Sequence, residues 1–168
     1  MLKKIVSGGQ SGVDQAALAM AVEAGIKIGG WCPLKGCDEN GKNIRIKYPE
    51  LKEAKTIKPD ERTRLNIDDS DGTLVIVPFM PLPKTIVDGT KLTIDYAIEK
   101  NKPHLIVSIS NKDEAVEQIL YWIEHNEIHV LNIGGPRESS WPGIYEETCQ
   151  LLDDLFYSLK PQDCMSRL

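Results

Sequence analysis

The sequence predicts an α/β fold: a doubly wound parallel sheet with helices on both faces, in a single domain. Three observations carry that reading. The apolar residues switch repeatedly along the chain between the two-residue period of strands and the 3.6-residue period of helices. The strand-like runs are short and largely apolar, as strands covered on both faces are. The 168 residues suit one domain of roughly 150 residues, large enough to bury roughly 70% of the unfolded surface without staples.

Taken in order, Lys3–Ser7 is short, apolar and followed by glycines, which predicts a buried first strand. Gln15–Ala24 is rich in alanine, with Leu18 and Val22 four apart. That predicts a helix packed closely on a sheet and ended by Gly25. Ile26–Ile28 is a second, short strand. Residues 30–58 form a polar segment rich in Gly, Pro, Lys and Asn, with 33–58 expected as one long loop; a connection of that length in a compact domain is functional or mobile. Pro59 opens a helix through Ile67, and Asp71-Gly72 turns into the strand Thr73–Val77. After the proline-laden loop from Pro78 to Pro83, Thr90–Lys100 reads as helix and His104–Ile109 as strand. Asn111 caps a helix whose Val116, Ile119, Leu120 and Ile123 share one face. His129–Ile133 is the last strand, and the final helix aligns Thr148, Leu151, Leu152, Leu155 and Leu159. Residues 161–168 are expected to fray. No internal repeat or low-complexity tract is present.

Composition narrows the function classes. Hydrophobic residues make up 41% and charged residues 27%, too apolar for a disordered chain. Twenty basic against 25 acidic residues give a net charge of −5. A nucleic-acid or anionic-membrane binder is expected to show the opposite balance, so neither partner is expected and any anionic ligand must be held locally. The longest uncharged stretch, Gly72 to Pro83, is too short for the ~18 residues of a membrane span. The first residues lack the apolar run of an export signal. Four cysteines, Cys32, Cys37, Cys149 and Cys164, are too few for a disulfide scaffold. Reduced thiols in a cytoplasm are the expectation.

Ligands of open α/β sheets sit outside the carboxyl ends of the strands, so the turns after the strands matter most. Three of them are small and Gly-rich: Ser7-Gly8-Gly9-Gln10-Ser11-Gly12-Val13-Asp14, Val87-Asp88-Gly89-Thr90, and Gly134-Gly135-Pro136-Arg137-Glu138-Ser139-Ser140. Glycines let a ligand approach the backbone, and a helix N-terminus behind them favours an anion. Phosphate, a carboxylate or an oxyanion such as molybdate would suit; a turn of purely structural purpose has the same composition. The dinucleotide fingerprint fails because Ser7 stands where it needs glycine and Gly29-Gly30-Trp31 where it needs an acid; the P-loop lysine is absent.

Asp14 is either a ligand contact or a partner of the helix dipole. Arg137, in a Gly-Pro loop after a strand, is the best candidate for a fixed positive charge. Of Arg62 and Arg64, one is expected at the surface. Cys32 and Cys37 lack a second pair at matching spacing, and His125 and His129 straddle an element boundary, so no metal ligands are assigned. Trp31, Trp122 and Trp141 read as core or interface residues, with stacking of Trp31 or Trp141, which follow strand ends, on a planar ring as the alternative. No catalytic triad, nucleophile elbow or carboxylate pair is visible, and no catalytic residue is assigned.

The ordered blocks Gly8-Gly9-Gln10-Ser11-Gly12-Val13-Asp14-Gln15-Ala16-Ala17, Gly29-Gly30-Trp31-Cys32-Pro33, Arg62-Thr63 with Asn66, Asp69-Ser70-Asp71-Gly72-Thr73, Gly89-Thr90, Lys102-Pro103, Leu131-Asn132-Ile133-Gly134-Gly135-Pro136-Arg137-Glu138-Ser139 and Pro142-Gly143-Ile144-Tyr145 resemble the molybdenum carrier (molybdenum cofactor carrier protein) family. The resemblance spans residues 3 to about 155. It implies a Rossmann-like fold related to the lysine decarboxylase-like (LOG/SLOG) nucleotide-processing proteins, and a homodimer or homotetramer. Algal relatives hold molybdenum cofactor, a pterin dithiolene with a terminal phosphate, for delivery. The implied ligand is therefore molybdenum cofactor (molybdopterin), with a nucleotide phosphate as the alternative and a molybdoenzyme as acceptor. Carried over by position, Gly8, Gly9, Gln10, Ser11 and Gly12 cradle the phosphate with Asp14 behind. Gly89 and Thr90 form the second turn, and Gly134, Gly135, Arg137 and Glu138 the third. Arg62 matches the catalytic arginine of phosphoribohydrolase relatives, whose Pro-Gly-Gly-x-Gly-Thr-x-x-Glu motif also supplies a catalytic glutamate. Here that position holds Thr93, and half of an acid–base pair is missing. The expected function is a carrier; the alternative is an enzyme acting on a nucleotide N-glycosidic bond, with Asp14 or Glu138 in the glutamate's place.

Overall fold

The computed structural model describes residues 1–160; the frayed end expected over 161–168 lies outside them. The chain runs β1 (Lys4–Val6), α1 (Val13–Glu23), β2 (Lys27–Gly29), β3 (Trp31–Cys32), α2 (Ile44–Lys47), β4 (Lys52–Glu53), α3 (Pro59–Asp68), β5 (Gly72–Val77), α4 (Thr90–Glu99), β6 (His104–Ser108), α5 (Lys112–His125), β7 (Val130–Gly134) and α6 (Ile144–Ser158). Five strands form one sheet in the order β2-β1-β7-β5-β6, and every pairing in it is parallel. The α/β class, the Rossmann-like layering and the single domain stand as expected.

β5 is buried at all six positions, which requires cover on both faces. Helices α1, α5 and α6 share one core with the sheet, built on Ile5, Leu74, Ile76, Leu131 and Ile133. Ala16, Ala17 and Ala21 of α1 are fully buried; their small side chains let the helix lie close to the sheet and to α6. A separate cluster of Ile67, Tyr96 and Ala97 joins α3 to α4. The exposed edge strand β6 is only partly buried.

Polar side chains fix the ends of several elements. The Asp71 carboxylate accepts from the backbone N–H of His129 at 2.9 Å and Val130 at 2.7 Å, pinning the start of β7 against β5. Lys102 Nζ donates to the carbonyls of Ile67, Asp68 and Ser70; a cation there satisfies the orphan acceptors at the end of α3. The Asn111 side chain caps α5 by accepting from Glu114 N–H, as its sequence position suggests. α1 starts two residues earlier than expected because Val13 N–H bonds to Pro136 O at 3.2 Å, a long-range contact that local periodicity does not show.

The 33–58 segment is not a plain loop. β3 and β4 pair in parallel, Trp31 with Lys52 and Cys32 with Glu53, and α2 lies between them. Ile44, Tyr48 and Leu51 close with Cys32 over Leu18 of α1 to form a small second core. Three apolar residues spread over eight positions are too sparse to register as a period, yet they suffice to seat the segment.

Leu131 lies fully buried in the middle strand. Leu131→Ala is expected to cost about 3 kcal/mol, within the ~2–5 kcal/mol span of such truncations, read as a lowered urea midpoint at unchanged slope. A loss below ~1 kcal/mol would mean that the sheet centre relaxes around the gap.

Candidate functional site

From β1 the chain turns to β2 on one side, then crosses to β5 and β6 on the other, and β7 fills the gap between. Ligands in open α/β sheets lie at such a reversal of strand order. Around it here is a cavity of about 30 Å³, room for about two water-sized groups. The loop after β1 contributes Gly8 and Gln10, and the first turn of α1 Asp14; α3 contributes Arg62, Thr63 and Asn66; the turn into α4 contributes Asp88 and Gly89, and α4 itself Thr93; β7 and its loop contribute Asn132 to Gly135 and Arg137. A wider cavity of about 490 Å³ shares Asp88, Gly89 and Arg137 with it and adds Pro59, Asp60, Val87, Leu92, Ser139 and Ser140.

The floor of the narrow chamber is a buried ion pair. Arg62 Nη1 lies 3.3 Å from Asp14 Oδ2, both side chains under a tenth exposed. Gln10 N–H donates to the same oxygen at 3.3 Å. Among the described residues Arg62 makes one bond where a guanidinium can fork two onto a carboxylate, and its buried Nε has no partner. Burial pushes the Asp14 carboxyl up, with Arg62 pulling against it. Burial also lowers the guanidinium from its ordinary value, but arginine remains charged in proteins. The pair exists only because residue 8 is glycine: a Cβ there would stand 1.6 Å from Arg62 Nη1 and 2.8 Å from Asp14 Oδ2.

Two further carboxylates act as clamps. Asp88 accepts from Thr90 N–H at 3.0 Å and the Thr90 hydroxyl at 2.5 Å through Oδ1, and from Arg137 N–H at 3.0 Å and the Ser140 hydroxyl at 2.8 Å through Oδ2. Burial pushes its carboxyl up, but these donors outweigh burial and hold it below the usual carboxylate value. It thereby ties the turn before α4 to the loop after β7. Glu39, from the 33–58 segment, receives the hydroxyls of Ser11 and Ser139 and the Ser139 N–H. Glu39 N–H donates to Gln10 Oε1 at 3.1 Å, so the segment sits on the outside of the first loop.

Eight residues singled out in the sequence meet at the chamber: Gly8, Gln10, Asp14, Arg62, Gly89, Gly134, Gly135 and Arg137. Five do not line it. Gly9 and Gly12 have φ of +76° and +79°, and a Cβ would strike Ile44 in one case and the Pro136 carbonyl in the other; packing alone requires glycine at both. The Ser11 hydroxyl is engaged by Glu39 and by Glu138 N–H, and that of Thr90 by Asp88. Glu138 accepts from Gly143 N–H and Tyr145 N–H, capping α6. Sequence reasoning missed Asp88, Thr63, Asn66 and Asn132 as lining residues. Asn132, a lone polar residue within an apolar strand, carried a signal that could have been read. Of the tryptophans, Trp31 donates its indole N–H to Asp69 at 2.7 Å, and Trp141 meets Phe79 edge-on at 5.5 Å. Cys32 is buried and Cys37 exposed. Among the described residues no group of three or more His, Cys, Asp or Glu is placed to hold a metal ion, and no helix is long and apolar enough to cross a membrane.

A family model described as circularly permutated YpsA, SLOG family, matches residues 5–156, and the chain belongs to that family. It is also similar to the crystal structure of a "putative molybdenum carrier protein" from Syntrophus aciditrophicus SB, at 37% identity and a TM-score of 0.84, covering 92% of this chain and 94% of that one. No curated protein matches the chain.

Two outcomes follow from the geometry. Gly8→Ala is expected to lose about 1–3 kcal/mol of stability by displacing the buried guanidinium, whereas Gly89→Ala, with nothing within 4 Å of the added Cβ, stays within about 0.5 kcal/mol of the parent; urea unfolding of the two variants decides. Asp88 has a folded pKa below its unfolded value, so its stabilisation is present above the ordinary carboxylate range of ~4 and is lost as pH falls through the folded value. Stability measured from about pH 6 down to about pH 3 should fall less steeply in Asp88→Asn than in the parent.

Proposed function

We propose that this member of the circularly permuted YpsA branch of the SLOG family is a carrier that holds a phosphorylated planar ligand at the C-terminal edge of its sheet, with molybdenum cofactor as the first ligand. The observation that supports this most is the joining of two cavities of unlike size at Arg137. The narrow one offers the guanidinium groups of Arg62 and Arg137 to a terminal phosphate. It leaves room above the backbone of Gly89 and Gly134, where an added Cβ would meet nothing closer than 3.7 Å. The wide one has Val87, Leu92 and Pro59 as an apolar wall for a ring, with Asp60 and Ser139 as polar groups beside it.

Molybdenum in this reading keeps its own dithiolene ligands, and the chain grips the cofactor through phosphate and ring. Self-association into a homodimer or homotetramer and hand-over to a molybdoenzyme are part of the same proposal. A nucleoside monophosphate fits the same description, and Asp14 in the chamber makes hydrolysis of its N-glycosidic bond the second reading. Thr93 lines the chamber, but its hydroxyl donates to Gly89 O at 3.0 Å and carries no titrating proton. That supports binding over hydrolysis.

Native mass spectrometry of protein purified without oxygen, beside the denatured mass, tests the proposal. An added mass matching a molybdopterin species, lost on denaturation and at least about tenfold scarcer in Arg137→Ala, is expected; tenfold corresponds to about 1.4 kcal/mol. A bare mass, together with thermal stabilisation by nucleoside monophosphates alone, would transfer the site to nucleotides. Free base released from those nucleotides would make it an enzyme.

A further inference from the structure

The chamber contains a contact that an anion cannot satisfy unaided. Asp14 Oδ2 accepts from Arg62 Nη1 and Gln10 N–H, but among the described residues Oδ1 accepts from nothing, and it lies 3.7 Å from where a Cβ on Gly134 would stand, on the open side of the cavity. An oxyanion oxygen settling above Gly134 between the two arginines therefore faces a carboxylate oxygen. Two acceptors in contact repel unless a hydrogen stands between them. We propose that one proton sits between Asp14 Oδ1 and the bound oxyanion, so that the site prefers oxyanions that carry a proton, as phosphate does, over those that carry none, as sulfate does. The inference rests on the chamber being the anion site.

The surrounding charged groups leave one place for this proton. Facing Asp14 are Arg62 from α3, Asp88 from the turn before α4 and Arg137 from the loop after β7. Two cations and two carboxylates give no net charge before the ligand enters, so a dianion leaves the chamber at −2. A proton taken up from solvent, as sulfate requires, halves that excess; hydrogen phosphate brings its proton with it, and there the proton relieves the acceptor–acceptor contact without changing the total. Asp88 cannot take the proton without giving up at least one of the four hydrogen bonds that clamp two loops together. Arg62 and Arg137 carry no lone pair to accept it. Asp14 Oδ1, unpartnered and open to the cavity, is the acceptor left. Burial already pushes this carboxyl toward its protonated form.

The proton arrives by one of two routes. Hydrogen phosphate keeps a hydrogen throughout about pH 6 to about pH 8 and donates it to ionised Asp14. Sulfate has none there and binds only as Asp14 takes up a proton from solvent. Protein, anion and proton are conserved in either route, and no other reactant is needed.

Isothermal titration calorimetry with inorganic phosphate and with sulfate, in buffers of unlike ionisation heat, measures both affinity and protons taken up. Sulfate should take up about one proton and weaken by up to about tenfold per pH unit across about pH 6–8. Phosphate should take up fewer protons and weaken less, so its advantage grows with pH. Asp14→Asn replaces the titrating oxygen with an amide N–H donor, and should make sulfate affinity independent of pH. Where that variant fails to fold, the proton count on the unaltered chain decides. Sulfate and phosphate binding alike, with no proton taken up at any pH, would overturn the proposal and leave the anion site standing. Binding of neither ion would remove the anion site and this proposal with it.

Discussion

The last strand of the chain lies in the middle of the sheet, between β1 and β5, and the chamber follows from that placement. Pairing β7 on both sides brings the loop after residue 134 against the loop after β1, and sets both beside the turn into α4. Three loops distant in sequence thus share one edge. Their approach is closer than side chains permit: a Cβ on Gly12 would come within 2.4 Å of the Pro136 carbonyl, and one on Gly135 within 2.3 Å of Ile76 O. The glycines record the closeness of backbone to backbone, and the cavity lies beside them.

Three carboxylates near this edge show how neighbours divide the same functional group into different tasks. Asp88 and Glu39 each accept several hydrogen bonds and are held below their ordinary values; they are ties that stay charged at neutral pH. Asp14 has one occupied oxygen and one open, in a setting where burial opposes the charge. The two ties hold the loops in place, while Asp14 keeps an oxygen that accepts no hydrogen bond among the described residues. Arg62 supplies the counter-charge from α3, which is why Gly8, with no side chain to displace it, lies under the pair.

Much of the fold was legible because strand and helix periods alternate clearly, and the boundaries of α3, α4 and α5 fall at the Pro, Thr and Asn signals the sequence offers. The order of strands was not. Ile5, Leu74 and Leu131 are apolar whichever neighbours they take, so burial is readable and adjacency is not. The site was half legible for the same reason. Gly8, Arg62 and Arg137 could be found by residue type in a turn or by resemblance. Asp88 precedes a glycine and reads as an ordinary turn; only the fold shows that it reaches Arg137 and Ser140, 49 and 52 residues away. Ser11, Thr90 and Glu138 carry the right chemistry in the right loops, but protein partners engage them: Glu39 and Glu138 N–H from afar for Ser11, and near neighbours in sequence for Thr90 and Glu138.

The central position of β7 also dictates an order of events when the chain is made from its N-terminus. Until residues 130–134 appear, β1 has only β2 beside it and β5 only β6. These are two separate parallel pairs, each with a bare inner edge of unmated N–H and C=O groups. Two-stranded pieces of this kind are marginal in water, and unpaired edges invite foreign strands. The two pairs therefore share no strand edge until β7 is available to lie between them. Whatever shields those two inner edges during that interval governs the yield of folded molecules.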